Sequence, residues 1–433
     1  PAITEACDTC GRDARAPSKW LRMISVAEAI QIVRGHTRPL EPEAVPLSNA
    51  LGRYLAEDII ADSDLPPFDR AQMDGYAIRA AEIKDATPDA PSRLHIVGES
   101  AAGRGWHNEM SAGEAVRIMT GAPVPRGADS VQQVELTREV DGSGVVEILQ
   151  AVETGRSIVP RGSEIKAGET VLRVGEQINA AMTAVLASFG YSNVKVGSRP
   201  RIAVLATGSE LVEVSKKPGQ DQIRDSNTYS LSAYATQAGG IVERLPLAGD
   251  DIEVLREQIE RASNSSNVIV ASGGVSMGVY DFTKTALKEL KAEIFFERVA
   301  LRPGKPTVFA RLPNGTLIFG LPGNPVSVSV TFNLFARTAL LAMQGAREPN
   351  LEEQFAILER SVKGSADRES YLPAVLKTDQ AGHLVAEPLK WGGSSDFVAF
   401  ARANGLIKVP IGAKSLNIGS TVRVVRLPLV SSS

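Results

Sequence analysis

The sequence predicts a multidomain α/β protein, a doubly wound, largely parallel α/β core set among β-rich segments. Three observations predict it. The chain has 433 residues, and at roughly 150 residues per domain that length suggests about three domains. Between Pro200 and Val299, short β-branched runs alternate with amphipathic stretches at the spacing of strand–helix units. Residues 76–182 and the segment after 349 instead show short β-rich runs broken by Gly and Pro, with little helical periodicity.

Residues 1–23 read as a polar tail, and order is expected from Ile24. Ser25 and Glu28 have the spacing of a capping box and open the apolar-periodic run Val26, Ala29, Ile30, Val33. A second short helix is expected around Leu51–Ile59, before Pro66-Pro67 interrupts regular structure. Leu94–Val97, Ala115–Met119 and Gly144–Leu149 read as strands. Residues 24–60 and 152–182 are expected to form one mixed, discontinuous domain, with a β-rich domain, 61–151, inserted in it. The α/β domain is expected over 183–346 and a last β-rich domain over 347–433. Within the α/β part, Arg201–Leu205, Ile241–Leu247, Val268–Ser272 and Ile294–Val299 read as strands. Gln177–Phe189, Ser226–Ala238, Ile252–Ala262, Thr283–Leu290 and Pro325–Met343 read as helices.

Composition excludes several classes. The 47 Lys and Arg against 50 Asp and Glu leave a net charge of −3, the opposite of the basic excess of a general nucleic-acid or membrane-surface binder. No uninterrupted apolar stretch reaches the roughly 18 residues of a membrane-spanning helix, and the N-terminus lacks a signal-peptide core. A cytoplasmic location is expected. The two cysteines, Cys7 and Cys10, allow no disulfide framework, and with four His in the chain a His/Cys metal cluster is not expected. The pair reads as incidental.

Ligands of open α/β sheets bind beyond the carboxyl ends of the strands. Three small-residue loops follow such ends: Ala206-Thr207-Gly208-Ser209-Glu210, Ser272-Gly273-Gly274-Val275-Ser276, and Gly320-Leu321-Pro322-Gly323-Asn324-Pro325. Glycines let backbone N–H groups approach an oxyanion, and Asn324-Pro325 has the chemistry of a helix N-terminus. Arg302-Pro303-Gly304-Lys305-Pro306 adds two cations on stiff backbone, and Ser327 adds a hydroxyl. Each loop alone reads as a tight turn; together they point to a phosphate or oxyanion site. Neither a P-loop nor G-x-G-x-x-G is present. Glu210, Asp225, Asp250 and Asp281 stand among the loops, as magnesium beside phosphate requires, although Asp250 and Asp251 equally suit helix capping.

PPFDRAQMDGYA, RIMTGAPVPRGAD, ATGSELV, SGGVSMGVYDFTK, RPGKPTVFA and GLPGNPVSV, in this order, resemble the molybdopterin molybdenumtransferases, the MoeA-type molybdenum insertases to which the gephyrin E domain also belongs. The resemblance runs from about Ser25 to the C-terminus. It implies an elongated homodimer of four-part subunits, with the α/β part binding molybdopterin and a small C-terminal β-barrel. It also implies insertion of molybdate into adenylylated molybdopterin with release of AMP, assisted by Mg²⁺.

By position, the resemblance assigns Arg302, Lys305, Ser327, Arg368 and Ser394 or Ser395 to molybdate. Glu210, Asp250 and Asp281 are assigned to catalysis, the last two also to the metal. Thr207, Gly208, Asp225, Ser272, Gly273, Gly274, Ser276, Pro322, Gly323 and Asn324 fall to the pterin and AMP. Asp74, Thr120 and Glu164, in the β-rich half, are implied to reach the site from the other subunit. Three positions depart from the family pattern: Ala71 replaces a usual Ser, Arg302 a frequent Lys, and Glu164 an Asp. Other readings are a tungstate-preferring insertase, the related molybdopterin adenylyltransferase, and a scaffold with a degenerate site. A separate adenylyltransferase that supplies the substrate is a candidate partner.

Overall fold

The computed structural model describes residues 23–274 and 282–428. Cys7, Cys10, Ser276 and Asp281 lie outside the described residues. The helix Val26–His36 starts where the sequence predicts, with Ser25 Oγ accepting the Glu28 N–H at 3.1 Å. Its buried face is Val26, Ala29 and Val33. It joins the α/β core beside Leu340, Phe335 and Phe296, and Ile24 bridges to Val299.

The expected helix at Leu51–Ile59 does not form. A short 3₁₀ turn, Leu47–Asn49, precedes it, and the chain then turns through Gly52 at φ 76°. Leu55 N–H donates to Glu176 O at 3.0 Å and Ala56 N–H to Lys195 O at 3.0 Å. These distant segments claim the backbone donors that a helix would have used, so tertiary pairing overrides local propensity. Glu43–Pro46 pairs antiparallel with Asn193–Val196, and Ile59–Ile60 with Thr170–Leu172. Ala50, Leu55, Ile59, Ile178, Leu186 and Val194 form their own core. The expected boundary at 183 therefore falls inside the helix Ala180–Ser188, whose N-cap is Asn179. The discontinuous unit continues to about Gly197.

Inserted in that unit is a six-stranded sheet, in the order Ser130–Gln133, Gly75–Ile78, Glu114–Ile118, Ser92–Ser100, Val145–Ile148, Thr137–Val140. Its two faces carry separate cores around Tyr76 and Val116.

The α/β sheet has the order Ile241–Arg244, Arg201–Ala206, Val268–Ser272, Leu317–Leu321, Val308–Arg311, Glu293–Phe296. The first four strands are parallel, while Val308–Arg311 runs antiparallel to both of its neighbours. That strand was not predicted, because the prolines at 303 and 306 crowd its start. The helices Asn227–Gln237 and Ile252–Ser263 lie close to the predicted spans. The run Pro325–Met343 is helical throughout, with a π-type turn at Phe332–Ala336. It is long and apolar enough to cross a membrane, but 89% of its 18-residue apolar window is buried inside the protein.

The C-terminal strands close a five-stranded barrel: Glu369–Thr378, Leu384–Pro388, Glu353–Leu358, Thr421–Arg426 and Gly405–Val409, the last pairing back onto the first. Closure leaves none of the five with a free edge, and the interior is filled by residues such as Leu358, Ala374, Ile407 and Val424.

Candidate functional site

Two clefts meet at the carboxyl ends of the parallel strands, where the barrel abuts the α/β unit. They share Pro306, Pro322 and Asn324. The first, about 820 Å³, lies between the Arg302–Pro306 loop, Ser327 and the barrel rim. Short strand pairing builds it: Leu301–Arg302 runs parallel to Glu369–Ser370, which places Arg302 beside the chain that has just left Arg368. Arg302 also donates to Gly364 O at 3.3 Å. Gly304 has φ 119°, and a Cβ there would stand 2.4 Å from Thr331 Cγ2. The loop is thus seated on the core helix only because residue 304 has no side chain. Thr307 Oγ1 donates to Gly304 O at 2.7 Å and closes the turn.

Six cations line this cleft, Arg302, Lys305, Arg360, Lys363, Arg368 and Lys390, and no described carboxylate does. Arg360 pairs with Glu387 at 2.8 Å and Arg368 with Asp367 at 3.3 Å, both outside the lining. Ser327, 4% exposed, and Ser394 add hydroxyls. Of these residues, sequence reasoning missed Arg360, Lys363 and Lys390. They come from the barrel rim; the only signal for Arg360 and Lys363 is the local excess of bases in 360–368, and Lys390 has none.

The second cleft, about 860 Å³, is lined by the Thr207–Glu210 and Ser272–Gly274 loops, Asp225, Asn227, Asp250, Gly323 and Ser395. Asn227, which sequence reasoning also missed, ties two of the small-residue loops together. Its Nδ2 donates to Ser272 Oγ at 2.8 Å and to Gly323 O at 2.7 Å. Its Oδ1 is buried without a partner, as is Thr207 Oγ1. Two orphaned polar atoms at a cleft wall are what a bound polar ligand would satisfy. Gly273 has φ 93°, with Thr207 O 2.5 Å from the place a Cβ would take.

The carboxylates separate by role. Asp251 caps the helix Ile252–Ser263, accepting from Glu253 N–H at 2.9 Å and Val254 N–H at 3.2 Å. Asp250 is left to face the cleft, where its Oδ2 accepts the Ser209 N–H at 3.1 Å. Asp225, 4% exposed, lines the same cleft but is engaged by Thr228, whose N–H donates to it at 3.0 Å and whose hydroxyl donates to its other oxygen. Glu210 is exposed at the rim. No group of three His, Cys, Asp or Glu able to hold a metal occurs among the described residues. Glu210 and Asp250 line the same cleft, and magnesium beside a phosphate takes one or two carboxylates and completes its shell with phosphate oxygens and water.

Asn324 corrects the expectation of a side-chain cap. It occupies the N-cap position before Pro325, but its side chain makes no capping bond. Nδ2 instead donates to Ser394 Oγ at 2.9 Å, and Val326 N–H donates to Ser394 O at 3.0 Å. The barrel loop therefore takes over part of the capping.

Asp74, Thr120 and Glu164 line neither cleft. Asp74 Oδ1 accepts the Thr120 N–H at 2.7 Å and its hydroxyl at 2.9 Å. Those two bonds, the backbone one foremost, hold its pKa below the usual value. Glu164 pairs with Arg70 at 3.1 Å.

With this geometry in view, the likenesses to known proteins are consistent along the whole chain. Residues 24–190 match the MoeA N-terminal region (domain I and II), residues 203–342 the "probable molybdopterin binding domain", and residues 356–427 the MoeA C-terminal region (domain IV). A molybdopterin molybdenumtransferase of Bacillus subtilis is 34% identical over 403 residues, 93% of each chain. One from Staphylococcus aureus is 34% identical over 402 residues, 93% of this chain and 95% of its own. A molybdopterin biosynthesis MoeA structure from Pyrococcus horikoshii superposes with a TM-score of 0.79 at 33% identity, covering 94% of this chain and 99% of that one. The chain belongs to the MoeA family of molybdopterin molybdenumtransferases, enzymes of molybdenum cofactor biosynthesis.

Proposed function

We propose that the two clefts hold the two substrates of one reaction: molybdate in the cationic cleft, and adenylylated molybdopterin reaching from it into the carboxylate cleft. The observation that carries this is the contrast between the linings. Molybdate is a tetrahedral dianion, and six cations without a carboxylate suit it. Arg302, Lys305 and Arg368 hold the oxyanion, with Ser327 and Ser394 donating hydroxyl hydrogens. Thr207, Gly208, Ser272, Gly273, Asn227 and Gly323 frame the adenylyl end, and Ser395 closes it from the barrel side.

In this reading two thiols of the pterin dithiolene bind molybdenum and pass their protons to one oxo group, which leaves as water. A water then opens the phosphoanhydride and AMP departs, so atoms balance. Magnesium, bound by Glu210 and Asp250 with Asp281 as the family assignment, would neutralise the phosphate oxygens. Asp250 is oriented for that by the Ser209 N–H. The protein supplies position and charge, and the barrel excludes water from one side.

Asp74, Thr120 and Glu164 line neither cleft of their own chain, which supports a homodimer in which they complete the partner's site. A cytoplasmic location, and direct supply by an adenylyltransferase, belong to the same proposal. The test mixes protein, adenylylated molybdopterin, Mg²⁺ and molybdate and follows AMP. Molybdate-dependent AMP, together with cofactor that activates an apo-molybdoenzyme, is expected. Bound ligand without AMP would favour a scaffold, and AMP with tungstate alone a tungsten enzyme.

A further inference from the structure

A third cleft, about 830 Å³, lies at the opposite edge of the α/β sheet, where the strands Arg201–Ala206, Val268–Ser272 and Leu317–Leu321 begin. Both connections between the α/β unit and the discontinuous unit run along it: Arg38–Glu41 on the way out and Ser198–Arg201 on the way back. Ser198 Oγ donates to Glu41 O at 2.5 Å, so the two connections are joined to each other. Neither the proposed reaction nor the family motifs use this region.

Four arginines line it, Arg38, Arg199, Arg201 and Arg311, against one carboxylate, Glu41. Arg311 is neutralised by Glu293 at 2.6 Å. Arg38, Arg199 and Arg201 have no carboxylate partner among the described residues, and Arg38 bonds only backbone, Gly35 O at 2.9 Å and Thr37 O at 3.3 Å. The remaining wall is rich in uncharged polar groups, Ser265 and Asn267 among them. Asn267 spends its Oδ1 on the Arg201 N–H at 2.8 Å, which leaves its amide hydrogens for a ligand. At one end His36 stacks on Phe295 with ring centroids 3.7 Å apart. Burial first, and then Arg311, push the His36 pKa down, and Arg38 acts in the same direction while Glu293 opposes it.

We propose that this cleft is a second anion site, independent of catalysis, that takes a tetrahedral oxyanion of at least two charges: free phosphate, molybdate or the phosphoryl group of a small metabolite. Arginines suit such a ligand through paired N–H donors. Arg38 and Arg199 belong to the two connections, and Asn267 to the sheet edge. One ligand therefore bridges both connections to the α/β unit and fixes the angle between the two parts.

Titration calorimetry on the full chain with inorganic phosphate tests this, with molybdate and a nucleoside diphosphate as separate arms that distinguish free oxyanion from phosphoryl ester. The double variant Arg199→Ala/Arg201→Ala, both at exposed positions, is expected to weaken phosphate binding at least tenfold while molybdate-dependent AMP release is retained, which also shows that it folds. Lys305→Ala is expected to leave this phosphate site intact. Phosphate affinity equal in the double variant and the parent, or no phosphate binding to the parent at millimolar concentration, would overturn the proposal. Loss in Lys305→Ala alone would assign the phosphate to the cationic cleft and overturn it equally.

Discussion

Asn324 reaches across from the start of the core helix to the barrel, its Nδ2 2.9 Å from Ser394 Oγ. The bond joins the two parts of the chain that wall the cationic cleft, and Asn324 lines both clefts. Ser394 O also receives the Val326 N–H at 3.0 Å, so the barrel loop is held at two points. Replacing Asn324 with Ala removes one of them. A net contribution of about 0.5–1.5 kcal/mol is typical of such a bond. We expect a loss of stability in that range and a several-fold rise in KM for molybdate, read by denaturant melts and AMP kinetics.

Lys305→Ala removes from the cleft a cation with no carboxylate partner among the described residues. Hydrogen bonds to charged groups contribute about 1.5–3 kcal/mol. Molybdate affinity is therefore expected to fall about tenfold to hundredfold by calorimetry, with the melting temperature unchanged. Lys363→Ala and Lys390→Ala, at the barrel rim, are expected to act in the same direction but more weakly, with an effect that shrinks as salt rises.

Asp250 and Asp225 line one cleft but differ in consequence. Asp250→Ala is expected to raise the Mg²⁺ concentration needed for half-maximal AMP release and to leave the fold alone. Asp225→Ala strips a buried hydrogen-bond acceptor from Thr228 and is expected to cost about 0.5–2 kcal/mol of stability, seen as a lower melting temperature at every Mg²⁺ concentration. Equal Mg²⁺ dependence in both variants would contradict this division.

Thr120 keeps the Asp74 carboxyl below its usual range, through its N–H first and its hydroxyl second. A depressed carboxyl stabilises the fold above its unfolded value, near 3.8, and that contribution is lost as pH falls through the lower folded value. Thr120→Val removes the hydroxyl bond and retains the backbone one. The Asp74 titration, followed by carboxyl carbon NMR, is expected to move upward part of the way toward the unfolded value.

Gly273→Ala places a Cβ 2.5 Å from Thr207 O at φ 93°. Strain of about 1–3 kcal/mol is expected, with weakened binding of the adenylyl end, measured as AMP affinity and melting temperature.

Much of this was legible in the sequence. The apolar spacing of Val26, Ala29 and Val33 and the alternation after Pro200 announce their elements, because amphipathic periodicity reports burial directly. The partners of those elements are not local information. Nothing in residues 51–59 reveals that Glu176 and Lys195 take their backbone donors, or that the face of the first helix packs on Leu340. The cationic cleft divides in the same way. Arg302 and Lys305 stand in a Gly/Pro motif after a strand, whereas Arg360, Lys363 and Lys390 join them only because the barrel closes and Leu301–Arg302 pairs with Glu369–Ser370. Asn227, two residues beyond Asp225, is legible only once Ser272 and Gly323 are seen beside it.

The most direct measurement is anomalous diffraction at the molybdenum edge from crystals grown with molybdate. A peak is expected among Arg302, Lys305 and Arg368, with Ser327 and Ser394 beside it, and is expected to be lost in Lys305→Ala. A peak confined to the Arg199 and Arg201 cleft, or one that persists unchanged in Lys305→Ala, would contradict the assignment of the cationic cleft to the molybdate substrate.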